Sequence, residues 1–99
     1  MGSSMKSAAF LVQSRIADAE AGDLEALFDL GMVYSTGGDG VDVDLVAAHK
    51  WFNLAALNGN SRGQECRADI AEEMSAREIA EAQKQARAWV AVTQQRLAA

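Results

Sequence analysis

Histidine is the side chain that most often serves as a general base, and this sequence contains little of it. His49 is the one histidine among 99 residues. A zinc protease motif, a paired metal ligand set or a triad that needs a second histidine therefore has no members to draw on. His49 lies between Ala48 and Lys50, away from the face that carries Trp51, which predicts an ordinary histidine at the surface or at the edge of a groove. Catalysis gains little support from it.

Cys66 is the one cysteine and occurs in the segment GQECRADI. A reactive thiol needs a lowered pKa, and only Arg62 or Arg67 is near enough in sequence to lower it. A single cysteine forms no intrachain disulfide, so the fold does not depend on an oxidising compartment. We expect Cys66 to be a small packing residue.

The segment GGDGVDVD, residues 37–44, raises the possibility of a calcium loop because Asp39, Asp42 and Asp44 carry oxygen ligands. In a loop that began at Asp42, the third ligand would be Val46 and the twelfth position Asn53, with no bidentate Glu. The glycines also lack the Gly-Lys-Ser/Thr ending of a phosphate loop. The sequence predicts no metal, no nucleotide and no cofactor here, but a turn whose glycines adopt positive φ.

The charge balance restricts the partners. Nine basic residues against fourteen acidic ones give a net charge of -5, and no stretch concentrates Lys and Arg as phosphate binding requires. We therefore expect neither nucleic acid nor a membrane as a partner. The acidic residues Glu72, Glu73, Glu78 and Glu81 are interpreted as a solvated face, because acid–base catalysis would need one of them buried.

The ends of the chain allow a weak inference about location. No apolar run approaches the roughly 20 residues of a membrane-spanning helix. The opening MGSS, residues 1–4, reads like an expression remnant and is left out of the fold prediction. We expect a cytoplasmic protein, and a leader removed before Met5 is left open.

Helical periodicity runs through residues 5–99, where apolar side chains recur every three or four positions. No segment alternates as a strand would. The pattern predicts a single all-α domain of about five helices, joined by short connections into antiparallel hairpins. Asp23 and Asp44 are good N-caps for the second and third helices. Ser75 and Glu78 form a capping box for a long fifth helix, and the fourth helix is expected to reach about Met74.

Two features recur at nearly one period. Gly22 has a counterpart in Gly59, 37 residues on. The pair Ala48 and Trp51 has a counterpart in Ala86 and Trp89, 38 residues on. These echoes predict an α-solenoid of two to two and a half helix-turn-helix units. Residues 5–21 would be the helix of a partial unit, 22–58 a full unit, and 59–99 a second unit with a long C-terminal capping helix.

The segment AGDLEALFDLGMVYSTGGDGVDVDLVAAHKWFNLAALNG resembles the Sel-one-like repeat, a relative of the tetratricopeptide repeat. The matching positions are Ala21, Gly22, Ala26, Leu30, Gly31, Tyr34, Gly37, Gly40, Val41, Asp44, Ala48, Trp51, Ala55, Ala56 and Gly59. The second unit departs from the family pattern, with Gly63 where Ala is usual and with Arg67 and Ala71 where Leu and Tyr are expected.

We expect small residues of this motif to admit neighbouring helices and large ones to fill the space between them. The repeat core would consist of Leu30, Gly31, Tyr34, Ala48, Trp51, Ala55, Gly59 and Trp89. Most of the motif is therefore interpreted as structural.

The resemblance implies an adaptor or scaffold without catalytic activity, in which the first helix of each unit lines a concave groove for a peptide or partner helix. The groove positions are Glu25, Phe28, Met32 and Ser35 in the first full unit, and Arg62, Glu65, Asp69 and Glu72 in the second. Phe28 and Met32 are either an exposed apolar pair that binds an anchor residue or are covered by the first helix. The acidic second half would prefer a basic flank on the ligand.

Two other functions are kept as alternatives. The fifth helix could expose Trp89 or Val90 at the end of the stack and form a homodimer. A hydrolase is the remote alternative, since some members of the family have been credited with such activity, but the sequence offers no usable catalytic triad.

Overall fold

Five α helices form the fold in a computed structural model that describes residues 3–98, and the side chains of residues 9–38 and 40–96. The helices are α1 (Ser3–Glu20), α2 (Leu24–Thr36), α3 (Leu45–Leu57), α4 (Ser61–Ala71) and α5 (Ala76–Ala98), with one 3-10 turn at Gly38–Gly40. No strand occurs within residues 3–98, so the predicted all-α class is confirmed. Ser3 and Ser4, assigned to a remnant, belong to α1, and residues 1–2 lie outside the described part.

Short acidic side chains begin two of the helices, as predicted. The Asp23 carboxylate accepts a hydrogen bond from the Glu25 N–H at 3.0 Å, and the Asp44 carboxylate accepts one from the Ala47 N–H at 3.0 Å. Both residues have extended backbone, which is typical of an N-cap. These bonds satisfy donors that a helix leaves without an intrahelical partner.

The boundary between α4 and α5 was predicted only in part. The capping box is confirmed: the Ser75 N–H donates to Glu78 Oε1 at 2.8 Å, and the Glu78 N–H donates to Ser75 Oγ at 3.1 Å. However, α4 ends at Ala71 and not near Met74. Backbone N–H groups of the following residues bond three positions back, including Met74 to Ala71 at 3.1 Å, so the chain tightens into a turn before α5 begins.

The glycine segment after α2 is a turn, as predicted. Gly37 has φ 72° and Gly40 has φ 80°, which are left-handed conformations that favour glycine. The Gly37 N–H donates to the Val33 carbonyl at 2.8 Å and closes α2. Farther on, the Asp44 N–H donates to the Tyr34 carbonyl at 2.9 Å, which fixes the extended segment before α3 against the end of α2.

Helix α3 is the centre of the fold, because α2, α4 and α5 all pack against it. Helix α1 packs against α2 on the outer side. The ends of α1 and α5 are joined by an ion pair between Glu20 and Arg96 at 3.0 Å. The first predicted hairpin, α2 with α3, is closely packed. The second, α4 with α5, is not: those two helices make only sparse contact with each other, and each packs on α3 instead.

Small residues set how closely the helices approach. A Cβ added at Gly31 of α2 would lie 2.5 Å from Phe52 Cε1, so α2 and α3 could not pack as they do with any larger residue. Gly63 of α4 serves similarly, since an added Cβ would lie 3.0 Å from Ala55 Cβ and 3.1 Å from the Phe52 carbonyl. The departure from alanine at Gly63 therefore has a packing reason.

The two tryptophans that marked the sequence period lie against each other. Trp51 of α3 is buried, and its ring meets Trp89 of α5 edge to face, with centroids 4.9 Å apart and planes at 76°. The alanines that precede them, Ala48 and Ala86, are also buried. Of the remaining residues assigned to the repeat core, Leu30, Gly31 and Ala55 are buried, Tyr34 is partly buried and Gly59 is exposed in a turn.

Candidate functional site

The candidate groove lies on α2 and α4, which both pack on α3 and touch each other. Its predicted residues differ in exposure. Glu25, Met32, Arg62, Glu65, Asp69 and Glu72 are exposed, Ser35 is half-buried and Phe28 is buried. The structure thus leaves one large apolar side chain of the predicted pair open to a ligand.

Phe28 does not line an open groove, because only 6% of it is exposed. Its ring packs against that of Phe52, with centroids 5.6 Å apart, and the Arg62 guanidinium carbon lies 4.6 Å from its centroid. The close approach of α2 to α3 at Gly31 brings Phe52 within reach. Phe28 is therefore covered by residues of α3 and α4, and Arg62 forms the exposed part of that cover.

Met32 lies one turn after Phe28 and is 37% exposed. Its carbonyl accepts hydrogen bonds from the Ser35 hydroxyl at 3.1 Å and from the Thr36 hydroxyl at 2.8 Å. The Ser35 hydroxyl is thus engaged with its own helix. The Met32 thioether is flexible and polarisable, and it offers the apolar contact on this face.

The predicted groove residues also include exposed acidic side chains. Glu25 lies at the start of α2, and Glu65 and Asp69 lie one turn apart on α4; all three are exposed. Arg62, stacked on Phe28, is the cation among the predicted groove residues. The face can therefore offer an apolar contact, a cation–π pair and several carboxylates to a ligand.

His49 was predicted to be an ordinary histidine at the surface or at the edge of a groove, but the structure places it in the interior. Only 4% of it is exposed, and its Nδ1 has no hydrogen-bond partner among the described residues. The reason is the central position of α3, which is covered on several sides. Burial, and then the positive charge of Arg67, lower the pKa of His49 below its ordinary value of 6.5. Arg67 itself donates to the Asn53 side chain.

The lowered pKa of His49 makes stability depend on pH. The unfolded chain gains a proton on this residue as the pH falls below 6.5, while the folded chain does not gain it until a lower pH. We expect the free energy of unfolding to decrease over that interval, because protons bound preferentially by the unfolded state favour unfolding. Urea unfolding at a series of pH values between about 5 and 8 measures this slope.

His49→Leu is the matched variant, since leucine fills the buried position and has no titrating group. Its free energy of unfolding should change less with pH over the same interval. The chain has no second histidine to obscure the comparison. An identical slope in both proteins would show that the pH dependence comes from other groups.

Lys50 is a residue whose position the sequence did not indicate. Its ammonium nitrogen lies 4.5 Å from the ring centroid of Trp51 and 5.8 Å from that of Trp89. Burial lowers the pKa of the Lys50 ammonium. The two indole rings therefore hold a partly desolvated cation. The sequence signal for this cation–π contact was the position of Lys50 directly before Trp51.

The homodimer prediction depended on Trp89 and Val90 being free at the end of the stack. Both are instead partly buried and pack against the core. Among the described side chains of α5, Val92 is a large apolar residue that is exposed, at 50%. Cys66 likewise packs against the core, as expected.

The structure contains a cleft that the sequence did not predict. A cleft of about 480 Å³ lies between the end of α2, the segment before α3 and the start of α5. It is lined by Tyr34, Val41, Asp42, Val43, Asp44, Leu45, Val46 and Glu78. The signal was the alternation of valine and aspartate over residues 41–44, an extended segment that presents both apolar and acidic side chains.

Neither a metal-binding cluster nor a membrane-spanning helix occurs among the described residues. No group of three or more His, Cys, Asp or Glu side chains there is arranged to hold a metal ion. Among the described helices, none has the length and apolar content that crossing a bilayer requires.

The fold and its surfaces define a small all-helical protein arranged around a central helix. Comparison with models of protein families, with curated proteins and with solved structures found no match to this chain.

Proposed function

We propose that the chain is a non-catalytic interaction module of the Sel-one-like repeat type, which binds a peptide or partner helix on the face of α2 and α4. The observation that carries this proposal is the arrangement around Phe28, which lies beneath the exposed guanidinium of Arg62 and one turn from exposed Met32. An aromatic residue under a movable cation, next to a methionine, can adapt to an apolar anchor residue of a ligand.

The charge of the same face supports a ligand of particular chemistry. Glu25 on α2, and Glu65 and Asp69 on α4, are exposed on the same two helices as Met32 and Arg62. Carboxylates at the rim of an interface mainly raise the association rate of a basic partner and select against an acidic one. The ligand we propose therefore presents an apolar residue flanked by Lys or Arg.

Met32→Asp is the variant that tests the groove, because Met32 is exposed and its replacement should leave the core intact. Phe28→Ala is unsuitable, since truncating a buried phenylalanine costs roughly 3–5 kcal/mol and would confuse lost binding with lost folding. The matched control is Val92→Asp, which introduces the same charge at an exposed apolar residue of α5.

Immobilised wild type and both variants are exposed to an extract of the source cell, and the retained proteins are quantified. A partner of the groove should be retained by wild type and by Val92→Asp, and reduced about tenfold or more by Met32→Asp, since an unpaired charge is costly in a desolvated contact. Its binding segment is then synthesised and its Kd measured with each variant. Equal retention by all three proteins would show that the groove is elsewhere.

Self-association through α5 is the competing proposal, and the position of Val92 is the observation in its favour. Sedimentation of wild type and Val92→Asp distinguishes the two. A dimer that dissociates on Val92→Asp would support self-association, whereas a monomer in both cases would leave the groove as the interaction surface.

A further inference from the structure

We propose that the cleft between α2, α3 and α5 is a separate binding site for an extended segment of a partner protein that carries Lys or Arg beside an aliphatic residue. The cleft of about 480 Å³ is lined by the eight residues from Tyr34 to Glu78 named above. This volume falls within the range of sites for small ligands and side chains, and is too small for a helix. The inference does not depend on the groove of α2 and α4.

Aliphatic side chains form one part of the cleft lining, beside the acidic ones. Val41, Val43, Leu45 and Val46 supply aliphatic surface, and Val43 is 57% exposed. The segment is held in place, because Gly37 turns the chain and the Asp44 N–H donates to the Tyr34 carbonyl at 2.9 Å. A preformed apolar surface of this kind favours binding, since little chain entropy remains to be lost when a ligand contacts it.

The charge of the cleft is negative even after the helix dipoles are counted. Asp42, Asp44 and Glu78 supply three carboxylates, and the described lining residues include no Lys or Arg. The starts of α3 and α5 also lie here, and each helix N-terminus carries the equivalent of roughly half a positive charge. The sum is about -2 in units of elementary charge, so a cationic group is favoured over an anionic one.

Two of the carboxylates are held in fixed positions. One oxygen of Asp44 accepts the Ala47 N–H at 3.0 Å, and one oxygen of Glu78 accepts the Ser75 N–H at 2.8 Å. Each carboxylate retains further acceptor capacity on its oxygens. They can therefore receive hydrogen bonds from an ammonium or guanidinium group without first being ordered.

Tyr34, which also lines the cleft, adds a hydrogen-bond donor. Burial, and then the negative charge of Asp44, raise the pKa of the Tyr34 hydroxyl above 10.0, so it remains protonated at neutral pH. A lysine or arginine side chain matches these features together, because its aliphatic stem suits the valines and its charged end suits the carboxylates. A neighbouring aliphatic residue of the ligand would cover Val43.

The test uses a synthetic peptide, acetyl-Leu-Lys-Val-Lys-Leu-amide, and the same peptide with both lysines replaced by glutamate. Amide chemical shifts of the 15N-labelled protein are followed during each titration. We expect the basic peptide to shift residues 41–46 and the start of α5, and the acidic peptide to leave them unchanged. Spermidine, a cation without an apolar part, is the third probe, and it should bind at least tenfold more weakly than the basic peptide.

Variants at exposed positions then separate the contribution of charge to peptide affinity from the contribution of apolar contact. Asp42→Asn should weaken the basic peptide about two- to fivefold, as expected for an exposed ion pair, and Val43→Ser by a similar factor. Affinities are taken from the shifts of residues 41–46, because the same peptide also has the chemistry proposed for the groove of α2 and α4. Glu73→Gln, which removes an exposed carboxylate that belongs to neither site, should leave this affinity unchanged. The proposal is overturned if the two peptides bind alike at residues 41–46, if spermidine binds there as tightly as the peptide, or if Glu73→Gln weakens binding as much as Asp42→Asn. The groove is tested separately, by the Met32→Asp comparison.

Discussion

Trp51→Ala should reduce the free energy of unfolding by about 3–5 kcal/mol. Trp51 is only 3% exposed and lies on α3, the helix around which α2, α4 and α5 are packed. Its removal leaves a cavity and also eliminates the edge-to-face contact with Trp89. Aromatic pairs of this kind stabilise a fold by about 0.5–1.5 kcal/mol beyond the effect of burial. Urea unfolding, followed through helix content, gives the measurement.

A domain of this size has a stability of about 5–15 kcal/mol, and a wild type near the lower limit would leave Trp51→Ala too unstable for its unfolding to be measured. Trp51→Phe, which keeps an aromatic ring, should lose less and fold in either case. Leu57→Ala is the control, because Leu57 lies on the same helix and is 66% exposed; its effect should stay within about 0.5 kcal/mol. A Trp51→Ala loss no greater than that of Leu57→Ala would contradict the packing described for α3.

Gly31→Ala should also destabilise the protein, although alanine is the better helix former. The added methyl group would lie 2.5 Å from Phe52 Cε1 and 2.8 Å from Phe52 Cγ, so the ring or the helix must move. Overpacking of this kind costs about 1–3 kcal/mol, and the gain in helix propensity returns at most about 1 kcal/mol. We expect a net loss of about 1–2 kcal/mol in urea unfolding.

The source of that loss can be identified with a second substitution. In a Phe52→Leu background the ring is absent, so Gly31→Ala should cost clearly less than it does in wild type. Gly38→Ala is the matched control, because its added Cβ would meet only Thr36 Oγ1, at an ordinary 3.5 Å. If Gly31→Ala stabilises the protein in both backgrounds, α2 and α3 are not packed as closely as described.

Helix boundaries were the part of the fold most accessible from sequence, because caps are local. Asp23, Asp44 and the pair Ser75 with Glu78 each act within three residues, and their hydrogen bonds are as predicted. The premature end of α4 was not foreseen. No strong stop signal such as Gly or Pro follows Ala71, and the tightening of its last turn follows from how the chain must reach α5.

The position of His49 could not be predicted in the same way, because it depends on the number of neighbours around α3. A periodic apolar face predicts one buried side, whereas α3 is covered by three helices and buries Ala48, His49, Trp51 and Phe52 in close succession. A polar residue such as His49 interrupts the apolar pattern of α3. The pattern then looks like that of a peripheral helix, although the helix is central. The number of packed neighbours is a tertiary property.

Phe28 illustrates why the candidate site was only partly predictable. Its register on α2 was consistent with a groove, but its cover comes from Phe52 and Arg62, which are 24 and 34 residues away in sequence. A cation–π contact with a residue of α4 has no local signature. Met32, with no such cover, remains exposed as expected for the groove.

The pairing of the two tryptophans has an optical consequence. They are the chain's only tryptophans, and their rings lie 4.9 Å apart. Indoles at that separation couple their electronic transitions, so the folded protein should show an exciton couplet that neither ring produces alone. The couplet would disappear when α5 leaves α3, even if both helices remained intact. The protein thus carries an intrinsic spectroscopic reporter of one particular helix contact.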